Sequence, residues 1–113
     1  MIKVKRVYEE PSKEDGFRIL VDRLWPRGLT KEKAKVDLWL KEISPSNELR
    51  KWYHDNFDEW NEFKKKYKNE LKDKTETVAE LKQLIKKNKI VTFVYSSKEE
   101  EKNNAVALKE FVS

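Results

Sequence analysis

The chain has 113 residues, of which 42% are charged and 12% aromatic, and its formal net charge is +5. This length suits one domain with a single core, residues 1–113, and the aromatic content argues against a disordered chain. The absence of cysteine excludes disulfides, thiolate catalysis and zinc–thiolate sites. The N-terminal residues do not resemble a signal peptide and no apolar run has membrane-spanning length, so we expect a cytoplasmic protein without a membrane partner.

Two strands are predicted near the N-terminus. Alternating apolar and basic residues indicate the first, from Ile2 to Tyr8, and a turn-forming stretch from Glu9 to Gly16 follows. The second, from Phe17 to Leu24, contains consecutive apolar residues, which predicts a strand covered on both faces. Because the connection between them is short for a parallel crossover, we expect the first strand to pair antiparallel or to lie at an edge.

A short helix and a third strand are predicted next. Thr30 is suited to cap a helix over Lys31 to Lys35. Val36 to Leu40 alternates with period two and predicts a strand, although helical spacing also fits this segment. Ser44-Pro45 is a typical helix start, with proline in the first position.

The next two helices are predicted from caps and apolar spacing. Asp55 is expected to cap a helix whose aromatic residues recur every three or four positions, which is typical of a core-facing side. Thr77 to Glu80 has the pattern of a capping box that opens a second helix. Asn88 is suited to end that helix in the left-handed conformation.

The C-terminal region predicts a central strand and a final helix. Ile90 to Tyr95 is the most hydrophobic stretch of the chain, and Asn103 can cap a helix that runs to Val112. Strands that alternate with helices indicate an α/β fold, with a small, mainly parallel sheet of about four strands flanked by helices.

A ligand site is predicted where two strands end, since open α/β sheets bind ligands beyond the carboxyl ends of their strands. We expect Arg23 and Arg27 to bind an anion, Asp22 to orient an arginine or accept a ligand hydroxyl, and Trp25 to stack or close over the ligand. Further hydrogen bonds are expected from Tyr95, Ser96 and the helix start at Asn103-Asn104. The predicted ligand is a phosphorylated or carboxylated small molecule, and whether a reaction follows stays undecided.

Structural roles for the same residues stand beside this interpretation. In the structural alternative, Asp22 forms only an internal ion pair with an arginine, Trp25 is a core or lid residue, and Asn103 is only a cap. His54 is the sole histidine, so it is an accessory candidate for acid–base chemistry but cannot build a multi-histidine metal site. Two glycines cannot form a phosphate-binding glycine loop, and no cofactor or metal is indicated.

Two other function classes remain open. Lysine-rich segments in the second half of the chain favour attraction to nucleic acid or another polyanion, although a solvated helix face has the same composition. An exposed tryptophan, with an apolar patch beside Trp39, would favour a protein-interaction module. The sequence is silent on oligomeric state.

Several short motifs occur along the chain: Arg6-Val7-Tyr8, Asp15-Gly16, Leu20 to Gly28, Trp39 to Ile43, Leu49 to Trp52, His54-Asp55 and Asn103 to Val106. Together they resemble the YeaO-like branch of the family called domain of unknown function 488 (DUF488). The resemblance implies a small cytoplasmic bacterial α/β protein and no established activity. Family members often have a histidine where this chain has Lys102, and more distant branches have a cysteine where it has Tyr95, so thiol chemistry is not expected here.

Overall fold

A four-stranded parallel sheet forms the centre of the molecule. The computed structural model describes all 113 residues. The order across the sheet is β1-β4-β2-β3, which places the most apolar strand in the interior, as predicted. The predicted α/β fold with a small parallel sheet is confirmed. The strands are β1 (Ile2–Arg6), β2 (Phe17–Leu20), β3 (Leu38–Trp39) and β4 (Val91–Tyr95).

The first strand lies at an edge of the sheet, in agreement with one of the two predictions. It pairs with β4 in parallel, with Ile2 opposite Val91 and Arg6 opposite Tyr95, so the antiparallel alternative is wrong. β1 and β2 flank β4 on opposite sides, and the connection between them crosses β4. An extended chain covers about 3.3 Å per residue. The residues between β1 and β2 can therefore run back to the other end of the sheet, because both strands are short.

The second and third strands are shorter than predicted. β2 ends at Leu20, and the Val21 amide makes one further hydrogen bond to the Val94 carbonyl. Beyond it, the main chain leaves the sheet, because the side chain of Asp22 accepts a hydrogen bond from the Ser96 amide. β3 confirms the strand interpretation of its segment over the helical one. Its place beside β2 is fixed by the Leu40 amide, which donates to the Leu20 carbonyl.

Five helices accompany the sheet, and two predicted caps are confirmed. Thr30 accepts a hydrogen bond from the Lys33 amide, and Asn103 accepts one from the Val106 amide. Single turns of 3-10 helix also occur at Lys13–Asp15 and Lys41–Ile43. The helices are α1 (Lys31–Ala34), α2 (Asn47–Asp55), α3 (Trp60–Asp73), α4 (Thr75–Lys87) and α5 (Asn104–Val112).

Two predicted starts of the central helices are wrong. α2 begins after Pro45, and its cap is Ser46, whose side chain accepts from the Leu49 amide. Asp55 is the last residue of α2 and caps nothing, because a turn separates it from α3, which follows Glu59 without a side-chain cap.

The capping-box and left-handed predictions for α4 are also wrong. α4 begins at Thr75, so the Thr77 to Glu80 pattern lies inside its first turns. Lys74 alone separates it from α3, and no side chain caps it. Asn88 ends α4 with a φ of −108°, which is extended rather than left-handed backbone.

The two faces of the sheet are covered unequally. Helices α2 to α5 pack on one face around the main core, which includes Ile19, Phe93 and Leu108. The opposite face is covered by α1 and neighbouring loops around a cluster of four buried residues, Val7, Leu20, Ala34 and Val94. The predicted burial of the second strand on both faces is therefore confirmed. None of the helices is both long and apolar enough to cross a membrane.

Candidate functional site

A crevice of about 800 Å³ opens at the carboxyl ends of β2 and β4. This is the position at which parallel α/β sheets commonly bind ligands. Its walls come from the segments that follow β2 and β4, from the C-terminal half of α2 and from the start of α5. Lining residues with predicted roles are Asp22, Arg23, His54, Ser96, Asn103 and Asn104.

The Asp22 carboxylate joins three elements at the base of this crevice. One oxygen accepts hydrogen bonds from both the amide and the hydroxyl of Ser96, each 2.8 Å long. The other oxygen accepts from the Asn104 side-chain amide at 3.0 Å, and that amide also donates to the Val21 carbonyl. No ion pair joins Asp22 to an arginine. The carboxylate therefore binds the ends of β2 and β4 to the start of α5.

Arg6 fixes the loop after β4 from the other side. Its guanidinium donates to the Ser97 carbonyl at 2.8 Å and to the Ser96 carbonyl at 3.3 Å. With its carbonyl held by Arg6 and its amide held by Asp22, Ser96 has a fixed backbone. The sequence reasoning missed this role, for which the only signal is an arginine at the end of an edge strand.

Asn103 and Tyr95 have structural contacts at the same end of the sheet. Asn103 is buried, and besides capping α5 its side chain donates to the Glu99 carbonyl at 2.8 Å. Tyr95 is buried and does not line the crevice. Burial, with the nearby charges of Glu100 and Glu9, raises the pKa of Tyr95 above its usual range, so its hydroxyl is neutral.

Arg23 is a half-buried arginine with most of its donors free. A guanidinium has five N–H donors, and Arg23 makes one hydrogen bond, a long contact of 3.4 Å to the Pro45 carbonyl. The other two arginines that are not exposed differ. Arg6 donates to two carbonyls, and Arg18 donates to two carbonyls and to the Asp15 carboxylate.

Trp25 and Arg27 lie outside the crevice. The Trp25 indole donates to the Leu29 carbonyl at 2.7 Å and meets Trp39 edge-on, with ring centroids 5.5 Å apart. Arg27 is exposed, and its carbonyl accepts a hydrogen bond from the Tyr8 hydroxyl. The sequence predicts that these two residues share one site with Asp22, Arg23 and Ser96, but the structure places them apart from that group.

The wall formed by α2 and its neighbours contains residues that the sequence reasoning missed. Tyr53 is half-buried and stacks on Phe63, with ring centroids 4.1 Å apart, and its hydroxyl donates to the Lys102 carbonyl. Burial and the charge of Glu99 raise the pKa of Tyr53. Exposed His54 lies on the same wall. The other missed residues include Leu24, Arg50, Lys51, Phe57 and Lys102.

The lysine-rich helix α3 presents no stacking platform. Phe63 and Tyr67 are buried in the core, as their spacing predicts, and Trp60 packs beside them. Lys64 pairs with Glu110 at 3.3 Å. Trp39 is half-buried, and its indole donates to the Asp22 carbonyl, so it is not an exposed interaction residue. No cluster of side chains suited to hold a metal ion is present.

The fold and the crevice define a small α/β domain in which a carboxylate at the strand ends, Asp22, accepts hydrogen bonds from the protein's own Ser96 and Asn104. The chain belongs to the DUF488 family, in its YeaO-like branch: the family model described as "Inactive DUF488-N3 subclade" matches residues 1–113. It is 40% identical to the uncharacterized protein YeaO of Escherichia coli over 111 residues, 98% of this chain and 96% of that protein. It is 38% identical to an uncharacterized protein of Mycobacterium tuberculosis over 112 residues, 99% and 93% of the two chains. No solved structure matches the chain.

Proposed function

We propose that this chain binds an anionic small molecule, phosphorylated or carboxylated, in the crevice at the strand ends, and that it acts by binding rather than by catalysis. The observation that carries the proposal is the half-buried Arg23 guanidinium, which lines the crevice with most of its donors unused. Guanidinium groups with free donors bind phosphate and carboxylate in two-point geometry.

Other cations on the walls favour the same ligand charge. Three more cations, Arg50, Lys51 and Lys102, line the crevice, and none of them forms an ion pair with a carboxylate. With Arg23 they outnumber the three lining carboxylates, which belong to Asp22, Asp55 and Glu99. Concave surfaces concentrate the field of such groups and raise the local concentration of anions. The ligand anion is expected to contact these walls rather than the Ser96 amide, because Asp22 already accepts from that amide.

The arrangement of polar groups favours binding over a reaction. Nucleophilic catalysis needs a nucleophile within hydrogen-bond reach of a base. The Ser96 hydroxyl donates to Asp22, no hydrogen bond joins it to His54, and the chain has no cysteine. The word "inactive" in the description of the matching subclade agrees with this interpretation.

An amide chemical-shift titration of labelled protein with inorganic phosphate and acetate tests the proposal. At physiological salt we expect saturable shifts at Arg23, Tyr53 and Lys102. Shifts confined to the lysines of α3 and α4 that disappear with added salt would contradict it, because they would indicate nonspecific polyanion attraction. Parallel titrations with a short oligonucleotide measure that alternative directly.

A further inference from the structure

The crevice also exposes apolar side chains to solvent. Only four large apolar residues of the chain are exposed, and two of them, Leu24 (62% exposed) and Phe57 (64% exposed), line this crevice. Single exposed apolar residues are ordinary, but two on the walls of one concave site are typical of a surface that an apolar group covers.

These two residues come from different elements beside a fixed aromatic ring. Leu24 follows β2, and Phe57 lies in the turn between α2 and α3. That turn is anchored where the Asn56 side-chain amide donates to the Trp52 carbonyl at 2.8 Å. Tyr53, held against Phe63, adds an aromatic ring to the same wall. The apolar surface is thus set among the cationic groups of the same crevice.

We infer that the ligand is an aryl anion, an aromatic ring that carries a phosphate or a carboxylate. This inference rests on the proposed function and adds an aromatic ring to the anionic group that the proposal assigns to the ligand. The anionic group binds at Arg23, and the ring packs against Phe57 and Leu24. A free inorganic anion would satisfy the cations and leave both apolar side chains in water, whereas a neutral ring would leave most of the Arg23 donors without an acceptor.

Two matched pairs of probes test the inference: phenyl phosphate against inorganic phosphate, and benzoate against acetate. We expect the aryl member of at least one pair to bind about tenfold more tightly than its partner, since a packed ring adds apolar burial and aromatic contact. The pair that shows this advantage identifies the anionic group. Calorimetry at physiological salt measures all four dissociation constants.

Phe57→Ala is the informative variant, because an exposed side chain in a turn can be truncated without unfolding the protein. We expect it to remove most of the advantage of the aryl probe and to leave the affinity for the simple anion within about twofold. Tyr8→Ala is the control: it truncates the other exposed aromatic side chain, which lies outside the crevice and donates to the Arg27 carbonyl, and it should keep the advantage.

The outcomes separate the two proposals. If phosphate or acetate binds at Arg23 and neither aryl probe binds more tightly, the aryl inference is overturned while the proposed function stands. An advantage that survives in both Phe57→Ala and Leu24→Ala also overturns the inference. If none of the four probes binds, both proposals fail.

Discussion

Asp22 and Ser96, 74 positions apart in the sequence, are joined by two 2.8 Å hydrogen bonds to a single carboxylate oxygen. The backbone amide that follows β4 is therefore bonded to the protein's own carboxylate. In a strand-end site, such an amide would otherwise be available to a ligand anion. This contact gives Asp22 a structural role, so the proposed anion site depends on the cations of the crevice walls.

Replacing Asp22 should destabilise the fold. Asp22→Ala leaves the Ser96 amide and the Asn104 side chain without their charged acceptor, and we expect the free energy of unfolding to fall by about 2–3 kcal/mol. Ser96→Ala removes the hydroxyl alone and should cost about 1 kcal/mol. Urea unfolding of the two variants and the wild type measures both losses. Equal stability of Asp22→Ala and wild type would contradict the structural role.

The buried Asp15–Arg18 ion pair predicts a specific dependence of stability on pH. The pair is 2.6 Å long and both side chains are almost fully buried. Burial alone would raise the pKa of Asp15, but hydrogen bonds from the Ser12 amide, Lys5 and Arg18 lower it below its ordinary value of 3.8. A lowered pKa means that the folded state favours the charged form, so this stabilisation is present above pH 3.8 and is lost as pH falls through the folded pKa.

Asp15→Asn tests that dependence. We expect it to lower the free energy of unfolding by about 3 kcal/mol at neutral pH, because Arg18 loses its buried partner. The difference between wild type and variant should stay constant above about pH 5 and shrink at lower pH. Urea unfolding between pH 7 and pH 2.5 measures it, and a difference that grows on acidification would be inconsistent with a lowered pKa.

The two glycines should respond differently to alanine. Gly16 has a φ of +63°, and an added Cβ would lie 2.2 Å from the Ile90 carbonyl oxygen, a backbone atom that cannot move aside without disturbing the sheet. Gly28 has a φ of +81°, but the space around it is open. We expect Gly16→Ala to cost about 3 kcal/mol or more and Gly28→Ala about 1–2 kcal/mol. Thermal unfolding compares them, and similar losses would show that the close approach to Ile90 is unimportant.

Local pattern was sufficient to predict the elements of the sheet but not their partners. The run from Ile90 to Tyr95 predicts a central strand because a strand buried on both faces needs apolar residues throughout. Alternation in β1 shows which residues face the core, but not that its neighbour is β4. The start of α4 depends on a distant contact: Lys74 donates to the carbonyls of Glu42 and Ser44, and this contact lies at the break between α3 and α4.

The candidate site was predictable only in part, for a similar reason. A polar segment after a buried strand indicates the position of Asp22 and Arg23 in the fold. The contact between Trp25 and Trp39 determines the direction of the Trp25 side chain. Arg27, two residues further along the same loop, also lies outside the crevice. The α2 wall depends on how that helix is rotated about its axis, which the packing of Tyr53 on Phe63 determines. No local sequence motif predicts the contact between Tyr53 and Phe63.

The affinity for inorganic phosphate of Arg23→Gln, compared with that of Arg27→Gln, tests the central claim most directly. Both changes remove one guanidinium from the same loop, but only Arg23 lines the crevice. At physiological salt we expect Arg23→Gln to weaken binding about tenfold, the loss typical of one charge-assisted contact, and Arg27→Gln to leave it within about twofold. Equal effects of the two variants, with both still folded, would contradict an anion site at Arg23.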